Sequence, residues 1–141
     1  MYKHILLAYD GSENAMRAAK EAIKIASSSP ESFIEVVYAV NIEKSKSEVL
    51  HAPSVEALEV MRRQKLSGVE NLLKESDISY RVKILRGIPG PEIVKYANEQ
   101  KVDLVVIGSR GLNALQQMVL GSVSHKVMKR VKCPALVVKI E

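Results

Sequence analysis

Apolar positions along this chain fall into two alternating rhythms. Short continuous runs such as Ile5-Leu6-Leu7-Ala8 and Leu104-Val105-Val106-Ile107 have the length and β-branched content of strands buried on both faces. Between the runs, apolar residues recur every three or four positions, the spacing of a helix with one buried side. In order, the pattern predicts a strand over Ile5–Tyr9, stopped by Asp10-Gly11, and then a helix capped by Ser12 and running to about Ser27. Ala15, Ala18, Ala19, Ala22, Ile23 and Ala26 form that helix's small-residue face, which lets it lie close to a sheet. Phe33–Val40 follows as a strand. Asn41–Ala52 is polar without a period, and is the segment expected to be mobile.

Pro53-Ser54 then opens a helix to about Glu75, with Leu58, Met61, Leu66, Val69, Leu72 and Leu73 inward. Tyr80–Leu85 is the third strand. Pro89–Gln100 is a short helix with Ile93, Val94 and Ala97 inward. Leu104–Ile107 is the fourth strand, His125–Val131 lies in the last helix, and Ala135–Ile140 is the fifth strand. Strands alternating with helices make an α/β, doubly wound domain with a parallel sheet, spanning residues 1–141. In such a sheet ligands sit beyond the carboxyl ends of the strands.

The most informative stretch follows the fourth strand. Leu104–Ile107 stops at Gly108, and glycines recur at Gly111 and Gly121, the last followed by Ser122, Val123 and Ser124 before helical spacing begins. A buried strand, a glycine-punctuated loop and a serine-rich helix start present bare backbone N–H groups to an anion. Ser122 and Ser124 are each placed to cap the helix or to donate a hydroxyl to a phosphate oxygen. Arg110 has small neighbours and reads two ways, as a cation neutralising phosphate charge or as an ordinary exposed arginine. The plainer alternative is a strand-to-helix connection whose glycines serve turns. Leu112–Leu120, mostly apolar and amide, is expected to pack as a lid or partial turn.

Composition narrows the class of partner. The chain of 141 residues carries 21 basic and 16 acidic side chains, a net charge of +5. That suits an anionic ligand. The one dense basic cluster, Lys126, Lys129, Arg130 and Lys132, falls at a helix end where cations complement the dipole. With one Phe, five Tyr and no Trp, none interleaved with basic residues, nucleic acid is not the expected partner. No apolar run approaches membrane-spanning length and no signal peptide precedes the first strand, so the expected location is cytoplasmic. The single cysteine, Cys133, excludes an internal disulfide and is expected to be a buried or half-buried, inert thiol.

The absent motifs matter as much. There is no Walker lysine and no Gly-x-Gly-x-x-Gly fingerprint. His4, His51 and His125 do not have the spacing of a metal site. Asp10 reads two ways, as an acid closing a turn with Gly11 or as a ligand group holding a Mg²⁺ against phosphates. One arginine and one candidate metal ligand, with no residue to orient a water, describe a protein that holds a nucleotide better than it turns one over.

The spacing Gly-x2-Gly-x9-Gly-Ser at Gly108, Gly111, Gly121 and Ser122 resembles the nucleotide-binding signature of the universal stress protein family. The opening ILLAYDGSENA is similar to that family's first strand and acidic tip, and CPALVVK to its last strand. The resemblance implies five parallel strands in the order 3-2-1-4-5 with four helices, which brings Asp10 to Gly108. It implies a site for ATP, with or without Mg²⁺ on Asp10, built from Ala8, Tyr9, Asp10, Val40, Gly108, Ser109, Arg110, Gly111, Gly121, Ser122, Val123 and Ser124. In that site Val40 meets the adenine through its backbone and Val123 offers its N–H. It also implies a homodimer paired along the last strand, and a role in stress response. The expected function is a regulatory module signalled by nucleotide occupancy. The alternatives are a slow Mg²⁺-dependent ATPase or phosphotransferase, and a nucleotide-free dimeric scaffold.

Overall fold

The structure is a computed structural model describing residues 2–40, 55–110 and 121–140, with the side chains of 55, 56 and 58 excepted. The expectations for Asn41–Ala52, Pro53, Ser54, Leu58, Gly111 and Leu112–Leu120 lie outside those residues.

In chain order the described elements are β1 (His4–Ala8), α1 (Glu13–Ala26), β2 (Phe33–Val40), α2 (Val55–Glu75), β3 (Tyr80–Arg86), α3 (Pro89–Gln100), β4 (Leu104–Gly108), α4 (Ser122–Arg130) and β5 (Ala135–Val138). The five strands form one parallel sheet in the order β3-β2-β1-β4-β5, as the resemblance implies. β1 lies at the centre, with Ile5 opposite both Ile34 of β2 and Leu104 of β4.

Alternation along each strand splits the core in two. Ile5, Leu7, Ile34, Val36 and Val106 face α1 and α2, while Leu6, Ala8, Val37, Val105 and Ile107 face α3 and α4. α1 presents Ala15, Ala18, Ala19, Ala22 and Ala26, all buried, so its backbone sits close against β1 and β4. Ser12 caps it, its hydroxyl accepting from the Ala15 N–H at 3.0 Å. On α2, Leu66, Val69 and Leu73 are buried. Met61, expected inward, is half exposed instead, because the buried stripe sits in the later turns of that helix.

One charged group is hidden inside the apolar pattern. Glu35, on β2, is 2% exposed. Its Oε1 meets His4 Nε2 at 2.7 Å, its Oε2 meets Arg81 Nε at 3.2 Å, and the Tyr96 hydroxyl donates to Oε2. His4 stacks on Phe33, and the Arg81 guanidinium lies over the same ring. This polar cluster joins β1, β2, β3 and α3 toward the amino ends of the strands.

Burial alone would raise the Glu35 pKa. The hydrogen bonds from Tyr96, His4 and Arg81 outweigh it, and the net shift is downward. The Tyr96 hydroxyl is pushed up to about 12, first by desolvation and then by its bond to Glu35. A carboxylate with a depressed folded pKa contributes stability above its unfolded pKa and loses it as pH falls through the folded value. Tyr96→Phe removes one of the lowering bonds. It is expected to cost about 1–2 kcal/mol at pH 7, to narrow that loss in acid, and to move acid unfolding to higher pH. Urea unfolding at pH 7 and pH 4 checks this. An equal loss at both pH values would contradict it.

Candidate functional site

The helices following β1 and β4 leave the sheet toward opposite faces. The buried alanines of α1 pack into one core layer and Val127 of α4 into the other. Ala8 pairs with Ile107, so the tips of these neighbouring strands, Asp10 and Gly108, lie side by side at the point where the crossovers diverge. A ligand site is expected where the crossovers diverge in this way.

At the β1 tip, Ala8 and Tyr9 are buried, and the Tyr9 N–H donates to the Val37 carbonyl at 3.0 Å. The Tyr9 hydroxyl has its pKa raised, first by burial and then by the nearby Asp10 and Tyr38. Asp10 closes the following turn, its Oδ1 accepting from the Ser12 N–H at 2.9 Å. The turn needs glycine, because Gly11 has φ +88°. The aliphatic stem of Lys65 on α2 lies against Gly11, 3.5 Å from where a Cβ would stand. It is a neighbour of this tip that no pattern in the sequence marks. At the β2 tip, the Val40 carbonyl accepts from the Gly87 N–H at 2.9 Å.

At the β4 tip the chain is held by a set of directional bonds. The Ser109 N–H donates to the Val138 carbonyl of β5 at 2.8 Å, and the Gly121 N–H donates to the Ser109 carbonyl at 2.8 Å. The second bond brings the two ends of the glycine loop together. α4 begins directly after Gly121, and its first intrahelical bond runs from the His125 N–H to the Gly121 carbonyl. The helix itself therefore uses none of the N–H groups of Ser122, Val123 and Ser124, which stand at its positive end.

Two expectations change here. α4 starts at Ser122 and not near His125, and its cap is Gly121, with no serine side chain capping it. The Ser124 hydroxyl is buried and donates to the Gly108 carbonyl at 2.6 Å, locking α4 onto β4. The hydroxyl hydrogen is thus used within the protein, and only the backbone N–H of Ser124 remains at the helix start. Gly108 and Gly121 do not occupy the left-handed region, which among the described glycines holds only Gly11 and Gly87. Gly121 has φ −61° and ψ 159°, values open to any residue. Gly108 is required by close approach, since a Cβ there would stand 2.8 Å from Asn14 Cγ and Oδ1.

Asn14 is the neighbour that sequence reasoning missed. It is buried in the first turn of α1, and its Oδ1 accepts from the Arg110 N–H at 2.9 Å and the Ser109 hydroxyl at 3.3 Å. Its Nδ2 donates to the Val138 carbonyl at 3.0 Å. The available signal was its spacing, because Asn14, Ala18 and Ala22 share one helix face. A polar residue on an otherwise alanine stripe calls for a buried partner.

The sequence profile of the universal stress protein family matches residues 1–139. The chain belongs to the universal stress protein family. Universal stress protein MJ0531 of Methanocaldococcus jannaschii is 34% identical over 146 residues, covering 99% of this chain and 83% of that protein. Universal stress protein MJ0577 of the same organism is 35% identical over 155 residues, covering 99% of this chain and 96% of that one. The solved structure of MJ0577 superposes with a TM-score of 0.85, covering 100% of this chain and 98% of its own. A universal stress protein solved in complex with cAMP shares the fold at 24% identity and a TM-score of 0.73, covering 99% and 98% of the two chains.

The close approach at Gly108 sets a measurable cost. Gly108→Ala inserts a methyl group against Asn14 and the α1 backbone and is expected to destabilise the protein by about 1–3 kcal/mol. Chemical denaturation checks this, and unchanged stability would contradict the packing described.

Proposed function

We propose that this universal stress protein binds an adenine nucleotide, ATP, in the crevice between the β1 and β4 tips, and that occupancy is its signal. The reading rests chiefly on the closure of the glycine loop by the Gly121 N–H to Ser109 carbonyl bond. That bond sets the first three N–H groups of α4 beside Arg110 at the carboxyl end of β4. Phosphate oxygens would take the backbone N–H groups of Ser122, Val123 and Ser124, with Gly121 leaving their approach free of a side chain, and Arg110 would neutralise charge from the other end of the loop, next to Gly111. Ala8, Tyr9 and Val40 would line the base and ribose side with buried side chains and backbone. The cAMP held by a protein of this fold is consistent with an adenine ligand.

Asp10, whose carboxylate also closes the turn onto the Ser12 N–H, would be the acid that meets a nucleotide-bound Mg²⁺. Among the described residues no group of three or more His, Cys, Asp or Glu could hold a metal alone. Mg²⁺ bound through one carboxylate and substrate phosphates needs no such group. By residue type the set suits retention of a nucleotide better than rapid hydrolysis, since it contains one arginine and one candidate metal ligand and no residue to orient a water. No helix among the described residues is long and apolar enough to cross a membrane. A cytoplasmic location belongs to the same proposal.

A homodimer is part of this reading. The sheet has two edges. β3 carries exposed Arg81, Lys83 and Arg86, charges that discourage a further strand. β5 is Ala-Leu-Val-Val with no charge and is only partly buried along most of its length, so the twofold mate would pair there.

Titration calorimetry with ATP and Mg²⁺ on wild type, Gly121→Val and Asp10→Asn tests the site. The Gly121 backbone angles accept valine without strain, so that side chain acts by crowding the phosphates. It is expected to weaken ATP at least about tenfold, or about 1.4 kcal/mol. Asp10→Asn keeps the acceptor for the Ser12 N–H and is expected to lower the Mg²⁺ dependence of binding. Equal affinities in all three proteins would overturn the site. Phosphate release that is rapid in wild type and lost in Asp10→Asn would replace the signalling reading with an enzymatic one.

A further inference from the structure

The Asn14 amide makes contact in two directions. On one side its carbonyl oxygen holds the entry of the glycine loop, taking the Arg110 N–H at 2.9 Å and the Ser109 hydroxyl at 3.3 Å. On the other its NH₂ holds the end of the edge strand, giving to the Val138 carbonyl at 3.0 Å. One turn along the same helix, Arg17 Nε donates to the Lys139 carbonyl at 3.2 Å, a second tie between α1 and that end of β5. We propose that Asn14 is the positioning residue through which nucleotide occupancy of the loop and pairing of a second chain along β5 strengthen each other. The proposal rests on the nucleotide site and dimer proposed above, and adds the route between them.

The residue type carries the argument. Only a side chain that accepts and donates at once can serve both partners. An aspartate would set a carboxylate oxygen against the Val138 carbonyl, and a leucine would leave both sides unmet. The anchor is rigid. Asn14 belongs to a helix whose alanine face is buried, and Gly108 lies so close that no Cβ fits between them. The Val138 carbonyl is shared by Asn14 and by the Ser109 N–H at 2.8 Å, so the loop entry and the strand end meet at one acceptor. Phosphate gripped at Arg110 and at the Gly121 end further restrains the Arg110 N–H already bonded to Asn14, and with it the Asn14 amide plane and its aim at Val138. Ordering that is supplied once by the ligand need not be supplied again by the pairing strand, which is cooperativity through shared ordering. Linkage requires the effect to be equal in both directions.

The test measures the dimer dissociation constant by sedimentation equilibrium, with and without saturating ATP and Mg²⁺, for wild type, Asn14→Ala and Asn14→Asp. Wild type is expected to dimerise about fivefold more tightly with ATP, the low end of couplings between sites. The two ATP molecules of the dimer are together expected to gain the same factor, roughly twofold at each site. In both variants that ratio is expected to fall to one. A residue with a merely structural role would weaken both equilibria and leave the ratio unchanged, so a surviving ratio in the variants overturns the proposal. A wild type that binds ATP and dimerises with a ratio of one overturns it too, and leaves the proposed function standing. A wild type that never binds ATP removes the proposed function, and this inference with it. If neither variant folds, the Asn14 side-chain amide resonance in wild type decides. It is expected to shift both on ATP addition and on dilution to monomer, and a shift with only one of the two overturns the link.

Discussion

The feature on which the candidate site depends is a steric one: the first turn of α1 touches the tip of β4. Gly108 has no Cβ, and the space where one would stand is taken by the Asn14 amide. That absence lets the first turn of α1 bind the loop entry directly, so the loop leaves the sheet already fixed at Ser109 and Arg110. The far end is fixed in turn by the Gly121 N–H on the Ser109 carbonyl and by the Ser124 hydroxyl on the Gly108 carbonyl. A helix start aimed at an anion is useful only when its position is set in advance. These short bonds, most of them to backbone, set it.

The rest of the fold makes that approach possible. The alanine stripe of α1 brings a whole helix close to β1 and β4, and the two-layered core holds the sheet from both sides. Toward the opposite ends of the strands, Glu35 gathers His4, Arg81 and Tyr96 into a buried polar cluster. Directional bonds therefore act at both ends of a sheet whose middle is apolar. The carboxyl ends carry the groups suited to a ligand. The amino ends carry a charge whose partners hold it ionised.

Much of this was legible in the sequence, for a physical reason. Strands buried on both faces and helices with one buried side leave periodicities that need no knowledge of distant partners, so β2 and α3 lie where the pattern put them. The strand order came from resemblance, because nothing local encodes which strand lies beside which. Contacts that depend on a distant partner were hidden. Asn14 and Ser109 are 95 positions apart, and Glu35 looked like an ordinary strand residue until His4, Arg81 and Tyr96 closed around it. The glycine pattern was visible, and of the two uses glycine has in such a loop, the left-handed turn and the close approach, Gly108 serves the second. Ser124, read as a helix cap or as a donor to phosphate, instead donates to the Gly108 carbonyl and holds a helix to its strand.

The central claim is that the crevice between the β1 and β4 tips holds an adenine nucleotide. The most direct measurement is the ligand content of the freshly purified protein, by heat extraction and mass analysis, followed by exposure of emptied protein to millimolar ATP with Mg²⁺. A stoichiometric adenine nucleotide, or its uptake by the emptied protein, is the expected result. A protein that purifies empty and ignores millimolar nucleotide would contradict the account, and would leave the ordered loop ends as structural connections between a strand and a helix.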